Sequence, residues 1–190
     1  MKQAKVPTEA EFKRLLAVIQ QGRHAARNRL AVMLSYYAGL RVGEIAALKI
    51  RDAYDTQFRP RDQIILRAEI TKAKDARVIY VNERLSREFD RYLASFDDNL
   101  PKLDKPLLAT QKRACFSANT LCQLFAQIYR EAGIDGASSH SGRRWFISKL
   151  AHRGISPKVL MVLAGHRNLS TTQRYIDVRP EMMRAAVEAL

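Results

Sequence analysis

The stretch "AGHRNLSTTQRYIDV" (residues 164–178) sets a histidine directly after a glycine, follows it with three hydroxyl side chains, and reaches a tyrosine nine positions past the histidine. Alone, Tyr175 reads as a half-buried aromatic. Three other segments change that reading. "SHSGRRWF" supplies His140 and Arg143, three apart and so on one face of a helix. "AGLRVGEIAAL" supplies Arg41 and Glu44, and "ITKAKDARVIYV" supplies Lys72 and Lys74.

Composition narrows what such a set can act on. The chain has 190 residues, enough for one domain with a real core, and 47% hydrophobic against 27% charged residues is the balance of a globular protein. Lys and Arg number 33 against 19 acidic residues, a net charge of +14 and a pI near 10.2. In a folded domain that balance points to a polyanion, most often nucleic acid, with a ribosomal, heparin-like or acidic-membrane role as the fallback. The basic residues are spread along the chain, which fits a charged face better than a disordered arm. No apolar run is long enough to span a bilayer, and "MKQAKVPTEA" lacks the apolar segment of a signal peptide. Cys115 and Cys122 are expected to be reduced, in a cytoplasmic, nucleoid-associated protein.

Periodicity predicts a mainly α fold with one small antiparallel sheet (α+β). Thr8 and Glu11 form a capping-box pattern ahead of Phe12, Leu15, Leu16 and Ile19. A second helix carries Leu30, Met33, Leu34 and Tyr37 and breaks at Gly39, and a short third holds Glu44 to Leu48. Ile64, Leu66, Ala68 and Ile70 then alternate, and "RVIYV" (77–81) is β-branched, so a hairpin is expected with the lysines near its tip. Helical spacing returns at Leu85–Phe96, Leu121–Ile128 and after His140, and Ser156-Pro157 is a helix-start signal. Met183, Ala186, Val187 and Leu190 give a last amphipathic helix.

Two guanidiniums can clamp the non-bridging oxygens of one phosphate and offset the charge of a pentacoordinate transition state. A tyrosine can attack that phosphorus, a lysine can protonate the departing oxygen, and histidines can move protons near neutral pH. Neither metal nor other cofactor is called for, and no histidine spacing suggests a zinc site. The four segments together resemble the tyrosine recombinase (phage integrase) family, relatives of the type IB topoisomerases: "GLRVGEI" its first box, "HSGRR" its His-x-x-Arg element, "LAGHRNLSTTQRYI" its Gly-His and nucleophile box. The matches run in the family's order and spacing from residue 39 to 175.

The resemblance implies a catalytic-domain fold and a site-specific recombinase. Tyr175 would form a 3′-phosphotyrosyl link, Arg41 and Arg143 would hold the scissile phosphate, and His140 would accept the tyrosine proton or hydrogen-bond the nucleophile. His166 would hydrogen-bond the phosphate, and Lys72 would protonate the leaving 5′-oxygen, with Lys74 the other candidate. Glu44 would support an arginine. Arg27, Arg29, Lys158, Arg167 and Arg174 are candidate phosphate contacts, each also readable as a solvated charge. His24 and His152 read as surface or structural, and Trp145 and Phe146 as core. The alternative function is a non-catalytic DNA-binding relative, which would need the arginines but not Tyr175. The expected partners are double-stranded DNA, a second to fourth copy of the chain in a tetrameric synapse of protomers that are monomers in solution, and accessory DNA-bending proteins, with no membrane. Arg41 comes too early for the helical clamp domain that usually precedes the first box, so the chain is either a catalytic-domain fragment or one of the short recombinases that lack that clamp. The expectation is therefore one catalytic domain over residues 1–190, with weak, salt-sensitive binding and little sequence discrimination when acting alone. Residues 180–190 are expected to dock on a neighbouring subunit, the alternative being packing in cis.

Overall fold

The computed structural model describes residues 3–71, 75–97, 99–112, 114–176, 178 and 180–188. In chain order its elements are α1 (Glu9–Gln20), α2 (Ala25–Tyr37), α3 (Val42–Ala47), α4 (Ile50–Ala53), β1 (Gln63–Leu66), β2 (Arg77–Tyr80), α5 (Glu83–Ala94), α6 (Ala118–Glu131), α7 (Ser141–His152), α8 (Pro157–Ala164), α9 (Leu169–Gln173) and α10 (Pro180–Val187). The mainly helical architecture with one two-stranded antiparallel sheet is the one its periodicity predicts.

The Thr8 hydroxyl accepts from the Glu11 amide at 3.2 Å while the Glu11 carboxylate accepts from the Thr8 amide at 2.9 Å. The box satisfies two amides that a helix start leaves open, and fixes where α1 begins. Phe12, Leu15 and Ile19 then pack on α2. α2 is buried without a break from Leu30 to Tyr36, which makes it the axis of the core. α1, α5 and α7 pack around it, and Trp145 of α7 joins Phe12, Tyr36 and Tyr37 with ring centroids 5.5–5.8 Å away. Two buried tyrosines anchor loops to this core: Tyr54 donates to Phe89 O and Tyr92 to Leu107 O, each at 2.7 Å.

Ile64 pairs with Ile79 and Leu66 with Arg77, so Ile64, Leu66 and Ile79 face inward while Ile65, Val78 and Tyr80 face out. The apolar alternation through Ile70 predicts a longer strand than forms. The ladder stops at Leu66, and Ala68–Ile70 make a 3-10 turn tied off by the Thr71 hydroxyl, which lies within 3.1 Å of Ala68 O and 2.9 Å of Asp75 O. Lys72 and Lys74 lie outside the described residues. Cys115 and Cys122 are free thiols. Among the described residues no helix is long and apolar enough to cross a membrane.

Candidate active site

The site begins with a close helix contact. At Gly142 a Cβ would overlap the Ser35 hydroxyl and stand 2.6 Å from the Tyr36 ring, so only glycine lets α7 lie this near α2. That approach carries the next residue, Arg143, beneath the loop after α2. Its Nη1 donates to Gly39 O at 2.6 Å and its Nη2 to Ala164 O. Arg143 is 3% exposed, and burial first, then Arg41 and Arg77, pushes its pKa down to about 9. It remains a cation at neutral pH.

Arg41 caps α3, its Nη1 donating to Glu44 Oε1 at 2.9 Å and its backbone amide to Glu44 Oε2 at 2.8 Å. Arg77, the first residue of β2, donates to the same carboxylate at 2.7 Å and to Leu163 O at 3.0 Å. One buried carboxylate among three guanidiniums leaves surplus positive charge, which suits an anion. A pocket of about 210 Å³ opens there, bordered by Arg41, Glu44, Arg77, His166 and Arg167.

Gly165 ends α8 in the left-handed conformation (φ 60°), the usual helix stop that favours glycine. The turn brings His166 inward, where Nδ1 lies 2.9 Å from the Thr172 hydroxyl. Burial, followed by Arg143, Arg41 and Arg77, pushes the His166 pKa down to about 4, so the imidazole is neutral at physiological pH. The short α9 returns the chain so that the Tyr175 ring stacks on His166, centroids 5.7 Å apart at 24°. Arg144 sits 5.3 Å from the Tyr175 ring centroid, and the Tyr175 carbonyl accepts from the Ser148 hydroxyl at 3.2 Å. His140, at the start of α7, is exposed, and with Arg144 and Tyr175 it lines a cleft of about 730 Å³.

Arg41, Glu44, Arg143, His166 and Tyr175 are thus brought together, with His140 at the rim. Arg167 lies at the pocket edge, 3.2 Å from Asp75, while Lys158 and Arg174 are exposed nearby in sequence. Arg27 and Arg29 do not join them. Arg29 pairs with Glu88 through two bonds of 2.6 and 2.7 Å, and Arg27 donates to Asn28 and to Ala109 O while lying over the Phe116 ring. Two side chains of the site, Arg77 and Arg144, carry no assignment from the sequence. The doubled arginine of "GRR" is the only local signal for Arg144, and Arg77 is marked only by its distance from Lys72.

Residues 5–182 match the profile of the phage integrase family. The tyrosine recombinase XerA of Pyrococcus horikoshii is 32% identical over 182 residues, covering 95% of this chain and 59% of that protein. Its counterpart in Thermococcus kodakarensis is 36% identical over 186 residues, covering 97% and 62%. The chain therefore spans about three fifths of the length of these relatives. A crystal structure of XerA recombinase superposes with a TM-score of 0.76 at 22% identity, over all of this chain and 64% of that one. A pre-cleavage complex of the XerH site-specific recombinase with its difH substrate gives 0.71 at 20% identity, over 98% and 55%. Boxes, fold and relatives agree over nearly the whole length: the chain belongs to the phage integrase family and has the fold of a tyrosine recombinase catalytic domain.

Proposed function

We propose that this chain is a site-specific DNA recombinase that breaks and rejoins strands through a 3′-phosphotyrosyl intermediate. The observation that carries the reading is the gathering of buried and half-buried arginines beside a tyrosine stacked on a neutral histidine. Arg41 and Arg143 hold the non-bridging oxygens of the scissile phosphate, and neutral His166 donates a hydrogen bond to the phosphate. The Tyr175 oxygen bonds to phosphorus as the P–O5′ bond breaks, and the phenolic proton passes to His140. The 5′-oxygen leaves as a hydroxyl with a proton from Lys72, Lys74 being the second candidate. A 5′-hydroxyl of another strand reverses the sequence. One phosphodiester is exchanged for another, so neither ATP nor a metal ion or other cofactor is required.

The substrate is double-stranded DNA, in keeping with the charge of +14. Arg167 borders the site pocket, Lys158 and Arg174 are exposed and near it in sequence, and all three are candidate backbone contacts. The working assembly is a tetrameric synapse of protomers that are monomers in solution, aided by accessory DNA-bending proteins in the cytoplasm. None of the described residues of α10 is buried, with Met183 55% and Val187 67% exposed, and we assign this helix to docking on a neighbouring copy. Removing residues 180–190 should abolish assembly on DNA; unchanged assembly would place the helix in cis.

A nicked suicide duplex carrying the target site tests the chemistry. Wild-type protein in EDTA should give a covalent band on a denaturing gel and Tyr175→Phe none. DNA that is bound but never linked to the protein would favour a non-catalytic binder.

A further inference from the structure

The last turn of α8 gathers three arginines, Arg143 buried and Arg41 and Arg77 partly so. The closing carbonyls of a helix have no partner within it and carry its negative pole. Here Leu163 O accepts from Arg77 at 3.0 Å, Ala164 O from Arg143, and Gly165 O from Arg41 at 3.5 Å. Arg77 has a second tie, to Glu44 Oε2 at 2.7 Å, the carboxylate whose other oxygen holds Arg41 at 2.9 Å. Its side chain is only 11% exposed, both terminal nitrogens donate to protein acceptors, and its Nε is buried with no acceptor among the described residues. A Cβ on Gly165 would stand 2.7 Å from Arg77 Cδ, so the helix stop is shaped around this side chain. Arg77 faces the same Glu44 as Arg41, the same helix end as Arg143, and the pocket of about 210 Å³ described above.

We propose that Arg77 is a positioning residue: it fixes the Glu44 carboxylate and the end of α8 in register, so that Arg41 and Arg143 address one phosphate. The inference rests on the recombinase reading above for its catalytic consequence, though the geometry it claims is measurable without catalysis. Lysine at this position supplies a point charge and cannot reach both acceptors as a planar fork does. Glutamine keeps a donor and loses the charge.

Arg77→Gln and Arg77→Lys in the full chain test the proposal, with thermal melts to verify folding. Single-turnover cleavage is measured on nicked duplexes bearing either an ordinary phosphate or a neutral methylphosphonate at the scissile position. On phosphate both variants should lose roughly 10- to 100-fold, the range for removing a partner that orients a charged group in a site. On methylphosphonate, which asks less of the clamp, the loss should shrink toward parity. Equal losses on both substrates, or none, would overturn the proposal. The side-chain 15N–1H signals of Arg41 and Arg143 should also move in both variants, and unchanged signals would sink the idea on their own. Wild-type protein that forms no covalent complex on bound DNA would count against the recombinase reading, while the guanidinium signals would still decide the role of Arg77.

Discussion

Gly142→Ala separates the demands of packing from those of helix propensity. Alanine in place of a helical glycine ordinarily stabilises by roughly 0.5–1 kcal/mol. Here the new methyl would meet the Ser35 hydroxyl, Ser35 Cβ at 2.8 Å and a Tyr36 ring carbon at 2.6 Å, all on the most buried helix of the fold. Carbon atoms rest about 3.5–4.0 Å apart, so α7 must retreat from α2 by about 1 Å. Overpacking of that kind costs about 1–3 kcal/mol, enough to cancel or exceed the propensity gain. Arg143 is the next residue, and a displacement of about 1 Å in a group that holds substrate can cost about 100-fold in rate. Single-turnover covalent-complex formation and thermal melts measure both consequences. Ser35→Ala should relieve part of each, since the Ser35 hydroxyl is buried with no hydrogen-bond partner among the described residues and its removal alone is cheap. The double variant should then show a coupling of about 0.5 kcal/mol or more. A Gly142→Ala protein that melts above the parent and links to DNA at the parental rate would refute this account of how Arg143 is placed.

Glu44→Gln should destabilise by about 3 kcal/mol, because three guanidiniums then share no buried counter-charge; a melt within about 1 °C of wild type would contradict it. His166 titrates near 4 in the fold against about 6.5 when unfolded, so the unfolded chain takes up the proton first. Stability tied to the neutral ring is whole above pH 6.5 and falls by about 3 kcal/mol as the pH drops from 6.5 to about 4. His166→Asn should flatten that part of the melting-temperature curve, and superimposable curves would speak against the buried neutral ring. Arg29→Ala should cost about 1.5–3 kcal/mol, because the Glu88 carboxylate loses two guanidinium bonds and keeps the one from Arg91 at 2.9 Å, yet leave the salt dependence of DNA binding as it was. A shallower salt slope would instead make Arg29 a phosphate contact.

The amphipathic helices were legible because their apolar positions recur at helical spacing, and the boxes because chemistry demands particular side chains in order. Short elements escaped for the converse reason: α4 and α9 span four and five residues, too few to express a period. The alternation that extends β1 to Ile70 is compatible with a strand, but the Thr71 hydroxyl closes a turn there. Charge proved the least informative cue. Arg27 and Arg29 read as phosphate candidates because a sequence gives an arginine no partner, and Glu88 and Ala109 O become theirs only when α2, α5 and a distant loop assemble. Arg77 was hidden by the same rule, since its acceptor Leu163 lies far along the chain.

One helix end serving three cations also restricts how this protein can change. The outward residues of α8, Val159 and Val162, are exposed and free to vary in kind. Its length is not. Inserting a single residue ahead of Leu163 would advance the closing carbonyls by about 1.5 Å and turn them by about 100°. Arg41, Arg77 and Arg143 would each lose the acceptor that the end of α8 gives it. Drift along this lineage should therefore be read in substitutions within α8, with insertions and deletions confined to the loops on either side.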